Sequence, residues 1–302
     1  MEKPLMFKLK KFSKLIIVTF SALFISPLCQ ADAVLNNTDT QLLIASDTER
    51  EYKIFTAWPS HPAPKEGWPV IYILDANIMF ATMVEAARMM ENRNKQDGSL
   101  IVGIGYNNNK ERKKERALDL TPRLGSTPNA MVGTGGAEDF LRFIKDDLKP
   151  HINKRFKINQ QQESIFGHSF GGLFVLYSLI KKPSLFDTYI AASPSIWFEN
   201  KLLTLPSLRG QLSTQLQSTP RTLITVGEYE QKDDPDFPHP SIKRLKAAKL
   251  VDNAREYAHW LDEQPSINSK FALITGENHG SVIPAAISRA VRFIFSKKTI
   301  TP

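Results

Sequence analysis

One stretch, Ile165-Phe166-Gly167-His168-Ser169-Phe170-Gly171-Gly172-Leu173, limits the fold of this chain more than any other. Ile165-Phe166 reads as the end of a buried strand, and Leu173-Phe174-Val175-Leu176-Tyr177 as the start of an apolar helix. Gly167-His168-Ser169-Phe170-Gly171, a G-x-S-x-G pattern, leaves room only for a tight turn between them. A serine in such a turn takes a strained positive φ, and its hydroxyl projects above the sheet. The flanking glycines let strand and helix approach without Cβ clashes, and the helix N-terminus behind the serine favours developing negative charge. A glycine-rich strand-to-helix turn with an incidental serine has the same sequence, so the rest of the chain must decide.

The remaining segments alternate. An early antiparallel strand over 50–57 is followed by a Pro/Gly loop over 61–69. Val70-Ile71-Tyr72-Ile73-Leu74 is a continuous apolar run, as expected of a strand buried on both faces, and a helix to about residue 90 follows. Further strands are predicted at 100–105, 188–192, 221–226 and 271–274, and helices at 137–151, 170–182, 240–261 and 281–295. The segment 107–136 reads as polar, with a charge cluster, Lys110-Glu111-Arg112-Lys113-Lys114-Glu115-Arg116, whose plain reading is a solvated loop. The alternation predicts an α/β protein with a mostly parallel, doubly wound sheet flanked by helices.

The N-terminus is set apart. Lys8, Lys10, Lys11 and Lys14 precede the apolar run 15–25, and Cys29-Gln30-Ala31 and Ala31-Asp32-Ala33 place small residues where a signal peptidase reads. Residues 1–31 are expected to be a secretory signal peptide, leaving 32–302 as one domain, periplasmic or secreted. The apolar run is short for an uncleaved spanning anchor, and Leu28 is bulky for a lipoprotein signal at Cys29. Cleavage after Ala31 leaves 34 basic and 30 acidic residues, so the net charge falls from +8 to +4 and argues for no nucleic-acid partner. The sole cysteine, Cys29, leaves with the leader, which excludes disulfides, thiolate metal ligands and a cysteine nucleophile.

A serine nucleophile needs a base. Thr275-Gly276-Glu277-Asn278-His279-Gly280 lies between the last strand and the closing helix, so His279 is the expected base. His61, His151 and His259 fit worse, while His168 and His239 keep an open binding role near the site. The acid should follow the penultimate strand, where Gly227-Glu228-Tyr229-Glu230 offers two carboxylates. Glu230 has the preferred G-x-x-acid spacing, Glu228 is the alternative, and a Ser–His dyad without an acid stays open. Asp233, Asp234 and Asp236 read as a solvated acidic loop. The oxyanion hole needs two N–H groups: one from Phe170, the other from Ala76 or Asn77 after strand 70–74. Asp75-Ala76-Asn77 also reads as a helix N-cap, which is compatible.

These pieces resemble the esterase branch of the α/β-hydrolases, and within it the periplasmic siderophore trilactone esterases of enterobactin/salmochelin type. The resemblance rests on Leu74-Asp75-Ala76-Asn77, Leu118-Asp119-Leu120-Thr121-Pro122, Gly167-His168-Ser169-Phe170-Gly171-Gly172, Ser193-Pro194-Ser195-Ile196-Trp197-Phe198, Val226-Gly227-Glu228-Tyr229-Glu230 and Gly276-Glu277-Asn278-His279-Gly280-Ser281, in that order along nearly the whole mature chain. It implies a serine esterase that opens catecholate trilactones to release iron, with no cofactor and no protein-bound metal. Some members work with a Ser–His dyad. Its partner would be a small-molecule ester, with no membrane span after signal cleavage. Arg112, Lys113, Lys114, Arg116 and Arg123 would attract a polyanionic ferric catecholate, and Trp197 and Phe198 would stack on its rings. Ala76 stands where the family pattern has Gly, which would restrict backbone approach to the oxyanion. The alternatives are a secreted carboxylesterase or acyltransferase acting on another ester, and a non-catalytic ligand-binding protein on the same scaffold.

Overall fold

A computed structural model describes residues 35–94, 98–108, 110–123, 131–215, 219–238 and 242–296. The expected signal peptide over residues 1–31, with Cys29, and His239 lie outside the described residues. In chain order the elements are β1 (Thr38–Ile44), β2 (Glu51–Ala57), β3 (Trp68–Ile73), α1 (Ala76–Asn94), β4 (Leu100–Tyr106) and α2 (Arg112–Asp119). Next come α3 (Ala137–Arg142), which runs through a π-helical turn (Phe143–Leu148) into α4 (Lys149–Arg155), and then β5 (Ile158–His168) and α5 (Phe170–Lys181). The second half holds β6 (Thr188–Ala192), α6 (Phe198–Lys201), α7 (Pro206–Gln215), β7 (Arg221–Gly227), α8 (Ile242–Ala248), α9 (Leu250–Asp262), β8 (Asn268–Ile274) and α10 (Val282–Phe295).

The eight strands form one sheet in the order β1-β2-β4-β3-β5-β6-β7-β8. β2 pairs antiparallel with both β1 and β4, and every other pairing is parallel. The apolar runs explain the layers. In β3 and the residue after it, Val70, Tyr72 and Leu74 enter one core while Ile71 and Ile73 enter the other. β6 divides in the same way, with Tyr189 and Ala191 on one side and Ile190 and Ala192 on the other. The larger core packs against α3, α4, α5, α7 and α9, the smaller against α1 and α10. Burial of each large aliphatic side chain contributes about 1.5–3 kcal/mol, and strands that bury both faces must lie at the centre of the sheet.

Four segments differ from the sequence expectation. β1 is an added edge strand; its inward and outward residues alternate, and Leu42 and Ile44 stay exposed. The charge cluster is not a loop: from Arg112 it forms α2, a run of strong helix formers supported by the Lys114–Glu111 pair. The helix expected over 240–261 breaks at Lys249, which sits at φ 48. α6 and α7, between β6 and β7, gave no periodic signal. α2 is anchored at its C-terminal end, where buried Asp119 pairs with Arg50 from the β1–β2 connection. Burial pushes the Asp119 carboxyl up to about 6 even with that cation beside it.

Candidate active site

Ser169, Glu230 and His279 each follow the carboxyl end of a strand, β5, β7 and β8. Ser169 joins β5 to α5 at φ 60 and ψ −116, the strained turn that the G-x-S-x-G pattern requires. A Cβ on Gly167 would lie 2.3 Å from the Gly171 carbonyl oxygen, so only glycine lets α5 start this close to β5. Phe170 is the first residue of α5, and its N–H is therefore one of the four without an intrahelical partner.

His279 follows β8. Its Nε2 is 3.1 Å from Ser169 Oγ, and its Nδ1 is 2.6 Å from Glu230 Oε2. The arrangement fits Nδ1 as donor to the carboxylate and Nε2 as acceptor from the serine hydroxyl. Glu230 ends a single 3-10 turn, Glu228–Glu230, that turns its side chain fully inward. Its other oxygen, Oε1, accepts from Ser193 Oγ at 2.5 Å and from the Gly227 N–H at 2.7 Å. The carboxylate is thus buried but saturated, as a buried charge must be. Glu228 faces away: it accepts from Lys232 Nζ and from the Gly276 N–H, and the Lys232 ammonium holds its carboxyl below the usual carboxylate range. Of the two candidate acids, the structure brings only Glu230 to His279.

The second oxyanion candidate also has a clear setting. The N–H groups of Ile78 and Met79 donate to the Asp75 carbonyl, so Ala76 and Asn77 carry the first unused donors of α1. The Asn77 amide donates to the Tyr106 carbonyl at 3.0 Å and accepts from the Tyr106 N–H at 2.8 Å, which pins this end of the helix to β4. The Ala76 methyl is buried in the core beneath β4, where a Cβ on Gly103 would lie 2.6 Å away.

The other sequence-derived candidates divide. Arg112, Lys113 and Arg116 line a cavity of about 350 Å³ together with Asp75, Asn77, Ile78 and Phe170. Arg116 is nevertheless already bonded to Asp75 and to the His168 carbonyl. Arg123 donates to the Thr134 carbonyl at 3.1 Å, outside that cavity. Trp197 is exposed, 6.1 Å from the Phe170 ring between centroids, whereas Phe198 is buried and unavailable for stacking. His168 is buried against His279, with ring centroids 4.7 Å apart. Burial first, then the neighbouring His279 and Arg116, holds its pKa well below the ordinary histidine value. His61, His151 and His259 meet Pro62, Gln41 and Glu263, away from the serine.

Three residues of the site escaped the sequence reading. Ser193, at φ 46, holds the acid. Ser195 places its Oγ 3.4 Å from that of Ser169. The tight Ser-Pro-Ser after β6 was their only signal. Asp234, read as solvated, is buried and accepts from Asn278 Nδ2 at 2.9 Å, steadying the loop that carries His279.

Comparison with known proteins agrees with this geometry. A family model described as "Putative esterase" matches residues 45–264. The chain belongs to this esterase family. The esterase is 38% identical over 269 residues to the ferri-bacillibactin esterase BesA of Bacillus subtilis, covering 85% of this chain and 89% of that one. It is 33% identical to the siderophore triacetylfusarinine C esterase of Aspergillus fumigatus, covering 84% and 92% of the two chains. The crystal structure of BES protein from Bacillus cereus superposes with a TM-score of 0.75 at 30% identity, covering 88% of the esterase and 98% of that chain. The esterase is a serine hydrolase with the α/β-hydrolase fold.

Proposed function

We propose that this esterase is an exported enzyme that hydrolyses the ester bonds of a catecholate siderophore, opening its trilactone so that iron is released. The observation that carries the reading is the unbroken line of contacts Glu230–His279–Ser169, in a chain whose relatives are named for siderophore esters. In the proposed reaction His279 Nε2 takes the Ser169 proton as Oγ attacks the lactone carbonyl. Glu230 holds the imidazole in the required tautomer and stabilises the imidazolium. The oxyanion is received by the Phe170 N–H and by that of Ala76 or Asn77, each donor contributing roughly 10²–10³ in rate. His279 then protonates the leaving alkoxide, and water resolves the acyl-enzyme by the same route.

The cations Arg112 and Lys113 beside Phe170 suit a polyanionic substrate, and exposed Trp197 suits its aromatic rings. Export rests on the lysine-rich start and apolar run of residues 1–31, and the periplasm is its proposed destination. N-terminal sequencing of the exported protein should read Asp32 first; a retained Met1 would refute cleavage after Ala31. The function is tested by incubating purified protein with ferric and iron-free enterobactin and identifying products by mass. Linear trimer, dimer and monomer are expected, and Ser169→Ala should lower the rate by roughly 10⁴-fold or more. An intact trilactone alongside brisk aryl-ester hydrolysis would move the assignment to a carboxylesterase of other substrates.

A further inference from the structure

Arg116 has the charge of a substrate-binding residue but the contacts of a strut. Its Nε donates to Asp75 Oδ1 at 2.6 Å, its Nη2 donates to the His168 carbonyl at 3.1 Å, and its guanidinium lies 5.7 Å from the centre of the Phe170 ring. The two residues it grips have a shared property. Asp75 immediately precedes Ala76 and Asn77, and His168 immediately precedes Ser169 and Phe170. Arg116 therefore bridges the two loops that carry the two sets of oxyanion N–H groups.

Two further observations fix what the bridge does. Asp75 sits at φ 53, a left-handed conformation that a non-glycine side chain keeps only when its surroundings hold it. Asp75 also sits just before α1, where an aspartate side chain ordinarily turns back to accept from the N–H of the second or third helical residue. Here it goes to Arg116 instead, so the N–H groups of Ala76 and Asn77 stay uncapped at the site. Released from the arginine, the same carboxylate would be free to turn toward the Asn77 N–H, the second of the helix, and set a negative charge where the oxyanion must form.

We infer that Arg116 is a positioning residue: with Asp75 it sets the gap between the two oxyanion donors and holds the Asp75 carboxylate away from them. The inference rests on Ser169 being the nucleophile. It is tested with the neutral substrate p-nitrophenyl acetate, on which a substrate-charge role has nothing to act. Arg116→Gln should lower kcat by roughly 10²-fold, the effect of losing one oxyanion donor, with KM within about threefold. Affinity for phenylboronic acid, whose serine adduct mimics the tetrahedral intermediate, should fall in step with kcat/KM. Arg116→Lys should restore part of the rate by keeping the pair with Asp75. Asp75→Asn added to Arg116→Gln should cost nothing more and recover some rate, because the intruding charge is gone.

Unchanged kcat on the neutral ester, with KM raised only for anionic substrates, would overturn the inference in favour of substrate contact. A lower melting temperature with unchanged boronate affinity of the folded fraction would overturn it in favour of simple scaffolding. Wild-type protein that neither hydrolyses the ester nor binds the boronate would remove the catalytic reading itself, and the inference with it.

Discussion

The two ends of the parallel sheet handle charge and strain in opposite ways. At the carboxyl end, Asp75, Ser169 and Ser193 follow β3, β5 and β6 at φ 53, 60 and 46, and each costs roughly 1–3 kcal/mol as a non-glycine residue in such a conformation. Toward the amino end, β5 buries Glu163, which accepts from Tyr72 Oη at 3.1 Å and from Lys149 Nζ at 2.7 Å. Burial raises the Glu163 carboxyl, and Lys149 opposes that rise. There the buried carboxylate is matched by a phenol and an ammonium. At the carboxyl end strain is retained, and N–H donors and a serine hydroxyl remain for a ligand. One end serves stability and the other turnover, so substitutions should separate along the strand direction.

The separation can be broken most sharply at the acid. Glu230→Gln should lower kcat by roughly 10³–10⁴-fold with little change in melting temperature, whereas Glu228→Gln, two residues away, should stay within about threefold of wild type. Steady-state kinetics on an aryl ester decide this; equal losses at both positions would mean that the turn is flexible enough to offer either carboxylate. Lys149→Met tests the other end. It leaves Glu163 buried without its cation and should destabilise the fold by about 2–3 kcal/mol in urea titrations, with kcat of the folded enzyme unchanged. A fall in kcat would show that the two ends are coupled.

The smallest effect is expected at His168, which belongs to both schemes. Its folded-state pKa lies below the unfolded value. Above the unfolded pKa both states are neutral and it has no effect. As pH falls below that value, only the unfolded chain takes up the proton, so stability drops by about 1.4 kcal/mol per pH unit until the folded pKa is reached. His168→Asn should flatten this dependence as pH falls below the ordinary histidine value, about 6.5, as read from the urea midpoint; an unaltered slope would show that His168 is protonated in the native protein.

The central strands were legible in the sequence because both of their faces are apolar, and the nucleophile and base because glycines and chain order mark them. β1 was missed because an edge strand with one wet face carries a weak, polar pattern. The charge cluster was misread for a related reason: its charges say that α2 is largely exposed, and nothing in the run says that Arg116 turns inward to Asp75. Glu228 and Glu230 share one turn, so spacing could rank them, but only burial against Ser193 separates them. The break at Lys249 has no glycine or proline to announce it. Ser193, Asp234 and Arg116 act through partners more than 30 residues away along the chain, at Glu230, Asn278 and Asp75, and a local pattern does not encode such partnerships.

The meeting of Ala76 with Gly103 carries an evolutionary consequence. A Cβ on residue 103 would meet the Ala76 methyl at 2.6 Å, the Phe80 ring at 2.8 Å and the Phe55 Cβ at 3.2 Å, so position 103 is closed from three sides. Alanine at 103 would push α1 outward and carry an oxyanion donor with it, although residue 103 faces no substrate. Glycine at 76 would open a void beside β4. Glycine at 76 would remove only one of the three contacts that exclude a methyl at 103. A mutant library that randomises position 103 should return glycine in nearly every active clone, and adding glycine at 76 should not rescue alanine at 103, because Phe80 and Phe55 still close the space.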